Sequence, residues 1–267
     1  MTRANDQGFA DGDVIGVYIV DYNGTLPGTL QASGNRATNL AYTYAEKSNS
    51  WTAASDIYWK DNNTPIDIYG YYPIAKNTPK DIHAYEFSVA SDQSVAGSDY
   101  AMGGYEQSDL LWGKVGNVAP TSQTIRLPLR HHMSTARIEL TEGSGFTAGE
   151  FARMEKSVVV KNTGLTALVD LSNGSITTKG EAEATDIVPY ENNGQWRCII
   201  VPQTVKAGKE LFAISIDSKP YTFSRDPGCW FSTTAQRHQR LHYPSSRPER
   251  RGRMTWLAKG CLPTASG

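Results

Sequence analysis

His131-His132 is the one adjacent histidine pair in the 267-residue chain, so acid–base or metal chemistry would be sought there first. Either role needs carboxylates or further ligands within hydrogen-bond reach. The flanking Leu129-Arg130 and Met133-Ser134 supply none, and the pair reads as structural. Asp109, close to Trp112, and the pair Asp11 and Asp13 have the residue type for glycosidase carboxylates. Turn formation and strand initiation explain them more simply. Asp11-Gly12-Asp13 lacks the rest of an EF-hand loop, and Gly12, Gly16 and Gly70 lack the spacing and the following helix of a phosphate loop. Cys198, Cys229 and Cys261 make no CxxC or Cys/His ligand spacing, so neither a disulfide framework nor a zinc site is expected. No catalytic residue, cofactor or metal is expected.

The remaining chemistry-bearing groups are aromatic. Trp51, Trp59, Tyr69, Tyr71, Tyr72 and Trp112 would suit a sugar-stacking platform if exposed, and a core if buried. In the stretch from Trp51 to Pro73, Ile57, Trp59, Ile66, Ile68 and Gly70 sit at period two. Asp56, Tyr58, Lys60, Asp67 and Tyr69 fill the opposite face. This predicts half-buried antiparallel strands with a turn at Asp61–Pro65. Tyr58, Tyr69 and Tyr71, opposite the isoleucines, are the candidates for glycan contact.

The elements that would position these groups are all strands. Alternation marks Val14–Val20, Leu40–Ala45, Tyr85–Val89, Asp109–Lys114, Thr124–Leu129 and Ser134–Leu140, then Met154–Val160, Leu165–Leu171, Trp196–Pro202, Leu211–Ile216 and Tyr221–Phe223. Turn signals recur about every 8–12 residues, which suits sandwiches and not βαβ units. Only Phe146–Glu155 has room for a short helix. The expected fold is all-β: two tandem β-sandwich domains, residues 1–130 and 131–224, joined near His131, with an irregular basic tail over 225–267.

That tail breaks the pattern. From Arg225 onward there are seven Arg and one Lys against two acids, leaving 18 basic and 25 acidic residues before it. The acidic body has no electrostatic reason to bind nucleic acid. For the tail, three readings stand: a basic arm for a polyanion or membrane surface, an unstructured terminus, or a frameshift near Ser224 that replaced the last native strands. No run approaches the roughly 18 apolar residues of a membrane span. Met1-Thr2-Arg3-Ala4-Asn5, directly before patterned sequence, reads as the start of a trimmed or mature form.

Several motifs together resemble the fimbrillin family of Bacteroidales-type surface pili. They are Phe9–Tyr18, Ile57-Tyr58-Trp59-Lys60-Asp61, Pro65–Pro73, Asp109-Leu110-Leu111-Trp112, Leu129–Ser134 with Ala136–Leu140, and Val201-Pro202-Gln203-Thr204-Val205 with Ala207-Gly208. Their order and spacing match over about residues 8–224. The resemblance implies a secreted, usually lipidated precursor with two transthyretin-like β-sandwich domains, exported to the outer membrane as a pilus stalk, anchor or tip adhesin. It places His131 at a packing position. In protease-matured members, cleavage after an Arg removes the first strand, and Arg3-Ala4 lies where such a cut would fall. The groove left behind accepts a strand from the next subunit, often from its C-terminus, where this sequence shows no strand pattern. The implied partners are other fimbrial subunits by strand addition, and a host or bacterial surface glycan or protein. The alternative from another class is a carbohydrate-binding surface lipoprotein that uses an aromatic face, with an enzyme a distant third.

Overall fold

The computed structural model describes residues 8–98, 102–142, 146, 149–179, 185–205, 208–224, 229–230, 237–240 and 253–259. Seven strands precede Met133: β1 (Val14–Asp21), β2 (Ala37–Ala45), β3 (Ser50–Ala53), β4 (Ile66–Tyr72), β5 (Tyr85–Ser88), β6 (Leu111–Val118) and β7 (Arg130–His131). Ten more follow: β8 (Ser134–Thr141), β9 (Lys156–Thr163), β10 (Thr166–Asp170), β11 (Ser175–Thr178), β12 (Thr185–Ile187), β13 (Tyr190–Asn192), β14 (Gln195–Ile200), β15 (Thr204–Val205), β16 (Glu210–Ile216) and β17 (Lys219–Ser224). The tail adds β18 (Cys229–Trp230), β19 (Arg237–Arg240) and β20 (Arg253–Lys259). The helices are one turn each, α1 (Gly104–Gln107) and α2 (Glu150–Arg153). Among the described residues no helix is long and apolar enough to cross a membrane.

The expectation of an all-β chain holds. β1 and β4 pair antiparallel at the centre of a six-stranded sheet ordered β3-β2-β1-β4-β6-β7. Their period-two sequences sort into two cores: Ile15, Val17, Ile19, Ile66, Ile68 and Tyr72 on one face, Tyr18, Val20, Tyr69 and Tyr71 on the other. Every residue of β4 is buried, so the half-buried strand expected there is corrected. Alternation reports two faces but cannot say that the polar one is wet, because a tyrosine buries its ring once its hydroxyl has a partner.

Two predicted strands are extended segments outside any ladder. Ile57–Lys60 carries no strand, and neither does Thr124–Leu129. Both keep the alternation: Ile57 and Trp59, then Ile125, Leu127 and Leu129, pack onto the isoleucine face of the sheet. The second segment crosses the cross-strand pair Gly70↔Gly113. A β-carbon on Gly70 would meet Leu127 Cδ2 at 2.5 Å, and one on Gly113 would run into the Pro128 carbonyl. Side-chain burial sets the period here, and backbone pairing is not needed to produce it.

The tyrosine face belongs to a core that runs past residue 131. β5 pairs with β10 (Tyr85↔Val169, Phe87↔Ala167) in the sheet β11-β10-β5. Beyond it, the sheets β12-β9-β16-β17 and β13-β14-β8-β20-β19 share the same core. Val158, Val160, Ile214 and Ile216 come from the first of these, and Ala136, Ile138, Cys198 and Ile200 from the second. The strand β5, from before the expected joint at His131, thus completes a sheet made by residues after it.

The tail was expected to be irregular, yet it contributes strands. β18 pairs with β15, and β20 lies between β8 and β19, in register from Arg253↔Thr141 to Lys259↔Thr135. A ladder needs only extended backbone with free N–H and C=O groups. Residues 253–259 hold no Pro or Gly, so their lack of alternation did not exclude pairing.

Candidate functional site

The residues with catalytic chemistry are held in structural contacts. His131 Nδ1 lies 2.8 Å from Asp109 Oδ2, and Asp109 is buried. His132 packs edge-on against Trp112 at 5.7 Å, and burial lowers its pKa from the ordinary imidazole value. Asp13 accepts hydrogen bonds from Ala10 N–H (2.8 Å) and Tyr72 Oη (3.1 Å), while Asp11 accepts from Glu46 N–H (3.0 Å). These two carboxylates organise the turn into β1 and the end of β2. Cys198 is fully enclosed, and burial pushes its thiol pKa up. Among the described residues no group of three or more His, Cys, Asp or Glu could hold a metal ion.

An ion pair with a buried carboxylate joins β4 to β6 in the six-stranded sheet. Lys114 Nζ lies 2.8 Å from Asp67 Oδ2 and 4.7 Å over the Tyr69 ring. Burial opposes the Asp67 charge, but Lys114 and the Asn117 N–H (2.9 Å) outweigh it and hold the carboxyl pKa below its usual value.

The aromatic platform does not form. Tyr71 is buried, donating to Asn39 Oδ1 at 2.5 Å and accepting from Ala75 N–H at 3.1 Å. Tyr69 is buried against Lys114. Trp51 meets Phe9 edge-on at 4.9 Å, and Trp112 donates to Leu171 C=O at 2.9 Å. Trp59 donates its indole N–H to Thr121 C=O at 3.2 Å. As glycan contacts, Tyr69 and Tyr71 are therefore corrected: they lie inside the core that the C-terminal sheets complete. Tyr58 alone of the three is at the surface, 74% exposed.

Around Tyr58 the structure adds a residue that sequence reading passed over. Arg36 chelates Asp21 through Nε (2.8 Å) and Nη2 (2.6 Å), and its Nη1 reaches Tyr58 C=O at 3.5 Å. Its partners lie 15 and 22 residues away in sequence, so no local motif announced it.

The other surface features are sheet margins. Among the described residues, β17 pairs only with β16, and β3 only with β2. β8 is flanked on one side by β14 and on the other by β20, the last described strand of the chain. An edge of this kind presents unpaired backbone groups that a further strand can satisfy. Arg3 and Ala4, the expected maturation site, lie outside the described residues.

A family model described as fimbrillin-like matches residues 2–237. Among solved structures, a candidate cell adhesion protein of Bacteroides uniformis is 18% identical, with a TM-score of 0.66 over 97% of this chain and 95% of that one. One of Bacteroides ovatus is 14% identical, with a TM-score of 0.60 over 84% of this chain and 80% of that one. No curated protein matches the sequence.

Proposed function

The chain belongs to the fimbrillin-like family, and on that premise we propose that it is a non-enzymatic pilus subunit that joins its neighbours by exchanging a strand. The family is one of fimbrial-type, cell-surface proteins. The observation that carries the strand-exchange reading is the position of β20. A segment from the far end of the chain forms seven residue pairs with β8, and residues 241–252 separate it from β19 in sequence. A strand so placed can leave its own sheet and pair with β8 of a second copy, because the backbone bonds are the same in either case. Each apolar side chain such a strand buried would contribute about 1.5–3 kcal/mol, less the cost of ordering both partners. On this reading, cleavage between Arg3 and Ala4 matures the N-terminal sheet, and a lipid anchor upstream attaches the precursor to the outer membrane.

Two copies, each with one introduced cysteine besides the enclosed Cys198, test the exchange. One carries Glu139→Cys on β8 and the other Thr255→Cys on β20, both with Ser at Cys229 and Cys261; these two positions face each other in the ladder. Both copies begin at Ala4 in place of a protease cut, and they are mixed and oxidised. A disulfide-linked heterodimer on a non-reducing gel is expected. If neither copy cross-links to the other while a double variant closes internally, β20 stays in its own chain and the exchange reading fails.

A further inference from the structure

The groove beside Tyr58 lies along β2 of the six-stranded sheet, apart from the sheet that holds β8 and β20. After β3 the chain follows β2 only as far as the bond from Ala54 N–H to Ala41 C=O (2.8 Å). Residues 55–58 then run apart from Arg36–Leu40, leaving a groove of about 440 Å³ between them. Small-ligand clefts span roughly 300–1,000 Å³. Leu40 and Ile57 are packed on the sheet core and give the groove an apolar base. Ser55, Asp56 and Tyr58 are exposed along one side, and Arg36 stands on the other.

The aim of Tyr58 is fixed. Its neighbours Ile57 and Trp59 are both drawn into the core, and Trp59 is tied to Thr121 C=O, so the ring between them points out. The Arg36 guanidinium is held by Asp21, which cancels its charge and leaves one N–H arm over the Tyr58 backbone. Asp56 meets the Tyr58 hydroxyl only at 3.4 Å, a contact that leaves its carboxylate oxygens open to accept. The groove therefore combines an exposed aromatic face, a carboxylate acceptor, a guanidinium donor and a hydroxyl, with one uncancelled negative charge.

We infer that this groove binds a neutral saccharide. The Tyr58 ring covers the apolar C–H face of a pyranose. Asp56 accepts from adjacent hydroxyls in charge-assisted bonds, and Arg36 Nη1 donates to a ring or hydroxyl oxygen. The Asp56 charge disfavours sugars that carry a carboxylate. This goes beyond the strand-exchange reading and does not depend on it.

The test is saturation-transfer NMR on the full chain with maltose, cellobiose, mannobiose and diacetylchitobiose, and with 3′-sialyllactose as the acidic counterpart. At least one neutral sugar is expected to receive saturation at its ring C–H protons, more strongly than sialyllactose. Tyr58→Ala weakens that binding at least tenfold, Asp56→Asn weakens it several-fold, and Leu26→Ala, at another exposed apolar residue, leaves it unchanged. Tyr58 is too exposed for its loss to unfold the chain, and an unchanged melting temperature verifies this. Equal binding by Tyr58→Ala, or no saturation from any of the four neutral sugars, overturns the assignment. The cysteine cross-link reads strand exchange alone, so either proposal can fail without the other.

Discussion

The indole of Trp112 and the carbonyl of Leu171 meet at 2.9 Å across the joint at His131. Trp112 is on β6 of the six-stranded sheet, and Leu171 opens the turn from β10 to β11. The same turn brings Gly174 under the ring, with φ at +74°. A β-carbon at Gly174 would fall 2.5 Å from Trp112 Cε3 and 3.0 Å from His132 Cε1. One turn beyond the joint is thus shaped to the Trp112 ring before it and to the His132 imidazole at it.

Gly174→Ala should destabilise the protein more than Gly194→Ala. Gly194 has nearly the same φ, +76°, but nothing within 4 Å of a β-carbon. The left-handed backbone costs about 1–2 kcal/mol for a non-glycine residue at either position. Only Gly174 adds the collision with Trp112, so its melting temperature should fall by several degrees more. Equal losses in calorimetry would mean that the turn does not press on the ring.

His132 should make the fold acid-sensitive. Burial is the main cause of its lowered pKa, opposed by a backbone hydrogen bond at Gly174 and reinforced by His131. The unfolded imidazole, near pKa 6.5, therefore binds protons that the folded one refuses. The unfolded state holds more protons in that window, so stability falls as pH drops below about 6.5. The melting temperature should decrease between pH 7.5 and 5.5, and His132→Gln should flatten this decrease. An unchanged pH dependence in the variant would assign the effect to other groups.

Gly70 and Leu127 should be energetically coupled. Gly70→Ala pushes a methyl group onto Leu127 Cδ2 at 2.5 Å and should cost about 1–3 kcal/mol by overpacking. Leu127→Ala vacates that space at the cost of lost burial, about 2–5 kcal/mol for a fully buried leucine and less here because Leu127 is partly buried. The double variant should be more stable than the two losses combined would allow, with a coupling of about 0.5–3 kcal/mol in denaturant melts. Simple additivity would show that the segment over Gly70 is not seated there.

Much of the sheet was legible because burial writes its period into the chain. The alternation in Val14–Val20 and Ile66–Tyr72 located β1 and β4, and the same signal marked Ile125, Leu127 and Leu129 as inward. It failed to tell a ladder from an extended segment lying on a sheet, since both alternate. It also failed at Tyr69 and Tyr71, where the polar-looking face was the one that the C-terminal sheets cover. The Tyr58 groove was half legible. Tyr58 stood out as an exposed aromatic, but Arg36 and Asp21 reach it only through the pairing of β1 with β2.

By itself, the sequence determined the all-β class, the inward isoleucine face of β4 and the family resemblance. These are local, since side-chain type and spacing decide which residues leave water. Only the tertiary structure decided that β5 joins β10 across residue 131, that β20 lies against β8, and that one tyrosine of three remains outside. Those outcomes depend on which backbone edges and which covered faces meet at long range, and hydrogen bonds between distant strands leave no mark on the spacing of residues within either one.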